Sequence, residues 1–258
     1  MKKPSVSNII LYACTLLVVI AGTVFWASDL TLDPPMYFSG LGQSLSTDPA
    51  QYVYHARNNI VFDDPDPFDY PRWLVYQRSL TSLTAHVWFA IAGASLKQAN
   101  MVGLLLSIGG LIFFLLAAMR HHRPWVLLVI AALYLVNVSL FVHGRLSYLE
   151  NGLIFITALL FFAYSWWADR RWGPIVCGVL IGAAMLMGKL FGVLLLPALV
   201  LAEWFSGRED RVRRIVKSLV AFFATIVVLI FTLYGTHLSA VSGYFGEQSY
   251  GLRGFPAG

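Results

Sequence analysis

Asp48 is followed at helical spacing by Tyr52 and by Ala56-Arg57, within Thr47-Asp48-Pro49-Ala50-Gln51-Tyr52-Val53-Tyr54-His55-Ala56-Arg57. A carboxylate, a phenol and a guanidinium on one short helix suit proton transfer and anion binding. An ionised carboxylate facing water accepts a proton from a hydroxyl or binds a cation, and a guanidinium holds a phosphate. Asp before Pro is also a helix start, with Asp48 capping a helix over 49–59. A cap carboxylate is rigidly placed and is favoured by the helix dipole, so the two roles coexist. The residues alone leave cap and catalyst open.

Further charges recur downstream. Lys189 stands near the middle of the long apolar run 174–205, where a lysine is costly unless it reaches water or an anion. Arg145 lies in His143-Gly144-Arg145-Leu146, with Glu150 following. An anion held at such a site needs positive charge or hydrogen-bond donors. Arg57, Arg145 and Lys189 are the candidates, and Tyr52, His143 and Glu150 are in supporting positions. The plainer alternatives are an Arg145–Glu150 interfacial ion pair, snorkelling side chains, and an Arg57 that neutralises the acidic residues around it. Asp63-Asp64-Pro65-Asp66-Pro67 with Asp69 raises the question of a divalent cation. The prolines limit convergence there and no calcium-loop spacing is present, so a solvated acidic turn is the plainer reading and no metal site is assigned. No nucleotide loop, zinc motif or serine hydrolase motif occurs, and no nucleic-acid partner is expected.

The elements that must position these residues belong to a bilayer protein. Hydrophobic residues make up 58% of the 258 and charged residues 12%, which excludes a water-soluble fold. Apolar stretches of spanning length cover 9–27, 101–119, 125–142, 152–167 and 219–234. The run 174–205 is too long for one straight span. Its glycines at 178, 182, 188 and 192 and Lys189 suggest a helical hairpin turning at Gly188-Lys189. The expected fold is an all-α integral membrane protein of about seven transmembrane helices, with a long outer first loop carrying short interfacial helices.

Orientation follows from the Lys and Arg residues. With Lys2 and Lys3 cytoplasmic, so are Arg120-His-His-Arg123, Asp169-Arg-Arg171 and the segment 208–217, while most acids fall outside. Counting 80–96 as a crossing would put the two middle basic clusters outside, so that segment reads as an interfacial or re-entrant helix on the outer face. The first apolar run, at about 19 residues, is longer than a signal-peptide core. Phe25 and Trp26 are too bulky for a cleavage site, so the run reads as an uncleaved span. Cys14 and Cys177 fall inside spans and suggest no disulfide or metal site. Trp166, Trp167 and Trp172 fit an inner aromatic belt. The whole chain, 1–258, reads as one module in the cell membrane. Its first outer loop covers 28–99, and 236–258 is the beginning of another outer segment.

The pattern Asp48, Tyr52, Ala56-Arg57 resembles the first outer loop of the C-type (GT-C) membrane glycosyltransferases. More narrowly it is similar to the branch of protein O-mannosyltransferases and the lipid A aminoarabinose transferase, with Pro49 where a second acid often stands. Gly144-Arg145 to Glu150 is similar to that family's Ser/Gly-Arg-x-x-x-x-Asp/Glu segment, Gly182 to Pro197 with Lys189 to its hairpin, and Ser79 to Gly93 to the segment before its second span. The resemblance implies transfer of a sugar from a polyprenyl-phosphate donor to an acceptor hydroxyl on a protein, lipid or glycan, with inversion. It implies Asp48 as base and basic residues at the outer ends of spans as holders of the leaving phosphate. No cofactor is firmly implied, and a divalent cation stays open. Relatives usually continue beyond the point where this chain stops, which leads to the expectation of a C-terminal part. A transporter or lipid flippase, with Lys189 on its pathway, and a non-catalytic scaffold are the rival classes.

Overall fold

Serine and asparagine punctuate the helices. Ser5, Ser79 and Ser95 each accept a hydrogen bond from the backbone amide three residues on, at 3.2–3.3 Å, which starts a helix by satisfying one of its orphan amides. The computed structural model describes residues 5–28, 30, 47–63, 76–235, 238–239 and 242, and of 47–51 the backbone alone. The described residues hold α1 (Val6–Ala27), α2 (Thr47–Phe62), α3 (Leu80–Ala92), α4 (Leu96–Met119), α5 (Pro124–Val136), α6 (Val138–Gly144) and α7 (Leu149–Trp167). There follow α8 (Gly173–Ala183), a π turn (Ala184–Gly188), a 3-10 turn (Leu190–Leu194), α9 (Leu195–Trp204) and α10 (Arg211–Tyr234). Among the described residues there is no strand.

Four helices, α1, α4, α7 and α10, are long and apolar enough to cross a membrane, and α5 with α6 makes a fifth if the bent pair is one span. The described residues are therefore all-helical, with several apolar helices of membrane-spanning length. The stretch 125–142 is not straight: Asn137 leaves the helix, its side chain accepts from the Leu140 amide at 3.0 Å, and the axis turns by 66°. α10 begins at Arg211 rather than at Leu219, so Arg211, Arg213, Arg214 and Lys217 are helical and do not belong to a loop. The arms Gly173–Gly188 and Leu190–Trp204 each fall short of membrane-spanning length.

Contacts define two ends of the bundle. α7 has 19 residues, about 28 Å at 1.5 Å per residue. Glu150 in its first turn pairs with Lys189, and the carbonyl of Ala168, just past its last turn, accepts from Arg214 at 2.6 Å. The arm Gly173–Gly188 thus runs from the Arg214 end to the Lys189 end, and Leu190–Trp204 returns, because Glu203 meets Arg214. α4 runs alongside α7: Ser147 Oγ donates to the Ala99 carbonyl near one end, and Trp166 Nε1 to Leu116 O at 2.8 Å near the other.

Small residues let these helices approach closely, the device that replaces the hydrophobic effect inside a bilayer. A Cβ at Gly103 would lie 2.1 Å from Leu146 O, and one at Gly178 would lie 2.2 Å from Ser218 O. Trp26, fully buried, joins α1 to α5 by donating to Leu135 O at 3.2 Å. α3 does not run from end to end. Thr81 near its start donates to Tyr148 O at 3.1 Å, and Trp88 near its finish donates to Gln98 in the first turn of α4 at 2.8 Å. Both anchors are at the Lys189 end, so α3 lies across it. α2 packs on α3 through Val53, Ala56, Ala85 and Phe89, over Val102 and Leu106 of α4.

Candidate functional site

Lys189 occupies the one extended residue between the two turns, with φ −147° and ψ 151°. Its amide donates to Ala184 O at 3.0 Å and its carbonyl accepts from Gly192 N at 2.7 Å, so the reversal of the chain is hydrogen-bonded on both sides. Gly192 permits this: a Cβ there would lie 2.5 Å from the backbone of Ala184. Gly188 seats the turn against Leu153 of α7, where a Cβ would be 3.2 Å from the Leu153 Cα. The sequence thus puts an ammonium at the tip of a hairpin, level with the first turn of α7.

There Lys189 Nζ donates to Glu150 Oε1. The side chains keep 30% and 45% of their surfaces exposed, yet Glu150 Oε2 itself is buried and has no hydrogen-bond partner among the described residues. Glu150 pairs with Lys189, not with Arg145. The Arg145 guanidinium is turned the other way and buried: Nη2 donates to Ser28 O at 2.8 Å, and the group stacks 4.6 Å from the Phe141 ring. It thereby fastens the end of α1 to the turn before α7. Asn151 completes that turn, donating to His143 O at 3.0 Å and to Leu146 O at 2.5 Å.

His143 lies in the last turn of α6, not in a loop; its Nδ1 is 2.8 Å from Ser139 O and its ring 5.3 Å from that of Tyr148. Tyr52 is buried, edge-on to Tyr76 at 5.2 Å, in a cluster with Leu149 and Tyr234. It joins α2 to the starts and ends of the long helices at this end. Arg57 is exposed on α2, holding Asn58 Oδ1 at 3.0 Å from Nε and lying 4.2 Å from the Tyr54 ring. α2 begins at Thr47, so Asp48 falls in its first turn rather than ahead of it; the Asp48 side chain lies outside the described residues. Asp64, Asp66 and Asp69 lie outside them as well. Asp63, at φ 51°, ends α2. Among the described residues no group of three or more His, Cys, Asp or Glu could hold a metal ion.

The structure therefore brings Lys189, Glu150, Arg145, His143 and Tyr52 to one end of the bundle, and within that end Lys189 and Glu150 meet while Arg145 turns to α1. Beside them His55 of α2 and His86 of α3 have ring centroids 5.8 Å apart, and His86 Nε2 is 3.0 Å from Asn59 Oδ1. Burial, with Arg78 nearby, pulls the His86 imidazole below its ordinary value.

Sequence reasoning missed the opposite end. Arg214 donates to both oxygens of Glu203, the carboxylate being 1% exposed. Arg208 adds a second cation to Glu203 at 3.5 Å and reaches Asp169 at 2.8 Å. Glu203 is a lone acid at the end of an apolar run, the same signal that singled out Lys189.

The fold defines a multi-pass membrane protein with an ion-paired hairpin tip at one end and a buried, basic ion-pair network at the other. Comparison with family models, with curated proteins and with solved structures finds no match.

Proposed function

We propose that the chain is a glycosyltransferase that moves a sugar from a polyprenyl-phosphate donor to an acceptor hydroxyl at the outer membrane face. The observation that carries this reading is the level of Lys189. It meets Glu150 in the first turn of α7, at one end of a helix of membrane-spanning length, and an ammonium at the end of a span is placed to meet a lipid phosphate. A transporter would also use a broken helix pair with a charge at the break, but it holds that charge near the bilayer midplane.

In this reading the bundle crosses the membrane about seven times, with the two short hairpin arms as full passes. The end bearing Arg120, Arg171, Arg208 and Arg214 faces the cytoplasm together with the N-terminus. The fold supports the first part through the end-to-end course of the arms and the second through the clustering of basic residues at that end. α2 and α3 then lie on the outer side, over the hairpin tip.

The chemistry is a single displacement. Asp48 takes the proton of the acceptor hydroxyl as its oxygen bonds to the anomeric carbon. The bond from that carbon to the phosphate oxygen breaks, and the polyprenyl phosphate leaves with the electron pair, inverting the centre. Lys189 compensates the negative charge on the leaving group. Arg57, exposed on α2, is a second phosphate ligand, and Arg145 holds the α1 end and the turn before α7 in place. His143 and Tyr52 support the site's walls.

The test is transfer of radiolabelled sugar from a panel of polyprenyl-phosphate sugars by membranes carrying the chain, with Asp48→Asn alongside. Removing a general base is expected to lower transfer about 10²- to 10⁴-fold. Equal transfer by wild type and Asp48→Asn removes Asp48 from the mechanism. No transfer and no donor binding by the wild type would remove the reading altogether.

A further inference from the structure

We propose that Glu150 is a displaceable counterion, which holds the Lys189 ammonium at the hairpin tip until the phosphate of a lipid carrier takes its place. This rests on the reading that Lys189 receives a lipid phosphate, and it adds how the empty site is kept and which headgroups it admits.

The contrast between the two ion pairs of the hairpin carries the inference. At the base, Glu203 is fully used: both oxygens accept from Arg214, at 2.8 and 2.9 Å, Arg208 lies 3.5 Å away, and the pair is sealed at 1% and 7% exposure. Such a pair cannot be opened without stranding a buried charge. At the tip, Glu150 is half used. One oxygen accepts from Lys189, the other is buried and has no hydrogen-bond partner among the described residues, and the two side chains are 30% and 45% exposed. A buried acceptor left unsatisfied is a standing cost. Exchanging this partner for a better one therefore loses little.

The cation is also of the exchangeable kind. A lysine is a point charge on a flexible stem, without the two-point fork that fixes Arg214 on Glu203. At the tip, where the side chain is partly exposed, an arriving anion can take up the ammonium as Glu150 departs. A phosphate offers more charge and more acceptor oxygens than one carboxylate oxygen. Released, Glu150 stays in the first turn of α7, where the unpaired amides of the helix favour an acid.

Exchange of one anion for another makes the tip selective. A phosphate monoester or diester with no cation of its own competes with Glu150. A zwitterionic headgroup, whose ammonium already neutralises its phosphate, gains less from Lys189 than Glu150 does. Bulk phosphatidylcholine is thereby kept out while a polyprenyl phosphate enters.

The experiment measures binding of undecaprenyl phosphate to the full chain in phosphatidylcholine nanodiscs, for wild type, Glu150→Gln, Lys189→Met and the double variant, with inorganic phosphate as a separate probe. Removing an internal competitor held by one partly exposed ion pair is expected to tighten binding about three- to fivefold in Glu150→Gln. Lys189→Met is expected to weaken it about tenfold or more, and the double variant to match Lys189→Met. Gln keeps the shape of Glu, and an unchanged melting temperature in detergent certifies the comparison. Should Glu150→Gln melt lower, Glu150→Asp, with its shorter reach to Lys189, is expected to bind more tightly than wild type. Unchanged or weaker binding in these Glu150 variants, with Lys189→Met still impaired, overturns the counterion role and leaves the phosphate site standing. Equal binding by wild type and Lys189→Met overturns the phosphate reading itself. Inorganic phosphate competing as well as the lipid would overturn the assignment to a lipid headgroup.

Discussion

Arg214 on α10 grips Glu203 at the end of α9 through both carboxylate oxygens, at 2.8 and 2.9 Å, while the same guanidinium reaches the Ala168 carbonyl past the end of α7 at 2.6 Å. One side chain thus ties three helices together at the base of the hairpin whose tip carries Lys189. The position of the tip depends on that base.

Arg214→Met is expected to destabilise the protein by about 3–5 kcal/mol, because it leaves Glu203 buried and stripped of its two-point partner. The double variant Glu203→Leu with Arg214→Met is expected to recover most of that loss, since no buried charge is stranded. Melting in detergent checks both. A double variant no more stable than Arg214→Met alone would show that the pair's geometry, rather than charge compensation, is what the bundle needs.

Two glycines of α4 are expected to respond unequally to alanine. A Cβ at Gly103 meets the Leu146 backbone at 2.1 Å, whereas one at Gly109 meets the end of the Phe155 ring at 2.9 Å. The ring can yield and the backbone cannot. Gly103→Ala is expected to cost about 1–3 kcal/mol and Gly109→Ala distinctly less, as read by thermal melting in the same detergent.

Much of this architecture was legible in the residues. Long apolar runs marked α1, α4, α7 and α10, and a lysine among glycines marked the reversal at Gly188-Lys189, because period, length and glycine act locally. The Asn137 bend was hidden, since asparagine interrupts the apolar run without ending it. Pairing was hidden too: Glu150 is five residues from Arg145 in sequence yet meets Lys189 from another helix, and no spacing encodes which of two cations a carboxylate will face. The interfacial reading of 80–96 rests on its polar residues and on charge balance; the structure shows α3 (Leu80–Ala92) anchored at the Lys189 end of the bundle by Thr81 and Trp88.

His86 gives the Lys189 end of the bundle a dependence on pH. Its imidazole is lowered by burial first and by Arg78 second, with His55 and Asn59 facing it from α2. A histidine with a depressed folded value binds protons less readily when folded than when unfolded. Its contribution is therefore present above the unfolded value near about 6.5 and is lost as pH falls through the folded one. Melting temperature is expected to drop between about pH 7 and pH 5, and His86→Gln is expected to flatten that drop. An unaltered slope would assign the pH dependence elsewhere.

Asn151 is expected to be intolerant of apolar replacement. Asn151→Leu removes the amide that donates to the carbonyls of His143 and Leu146 and leaves them only their backbone donors, Leu146 N and Tyr148 N, at about 0.5–1.5 kcal/mol for each hydrogen bond lost. Because that turn precedes α7, the same variant is expected to draw Glu150 away from Lys189 and so to tighten binding of undecaprenyl phosphate, which a purely global loss of stability would not do at temperatures where the protein stays folded.

The most direct measurement is the steady-state kinetics of sugar transfer from a polyprenyl-phosphate donor by reconstituted wild type, Asp48→Asn and Lys189→Met. A base and a phosphate ligand leave different marks: Asp48→Asn is expected to lower kcat about 10²- to 10⁴-fold at an unchanged donor KM, and Lys189→Met to raise the donor KM about tenfold or more. Transfer by the wild type that neither variant alters would contradict a glycosyl-transfer site built on Asp48 and Lys189.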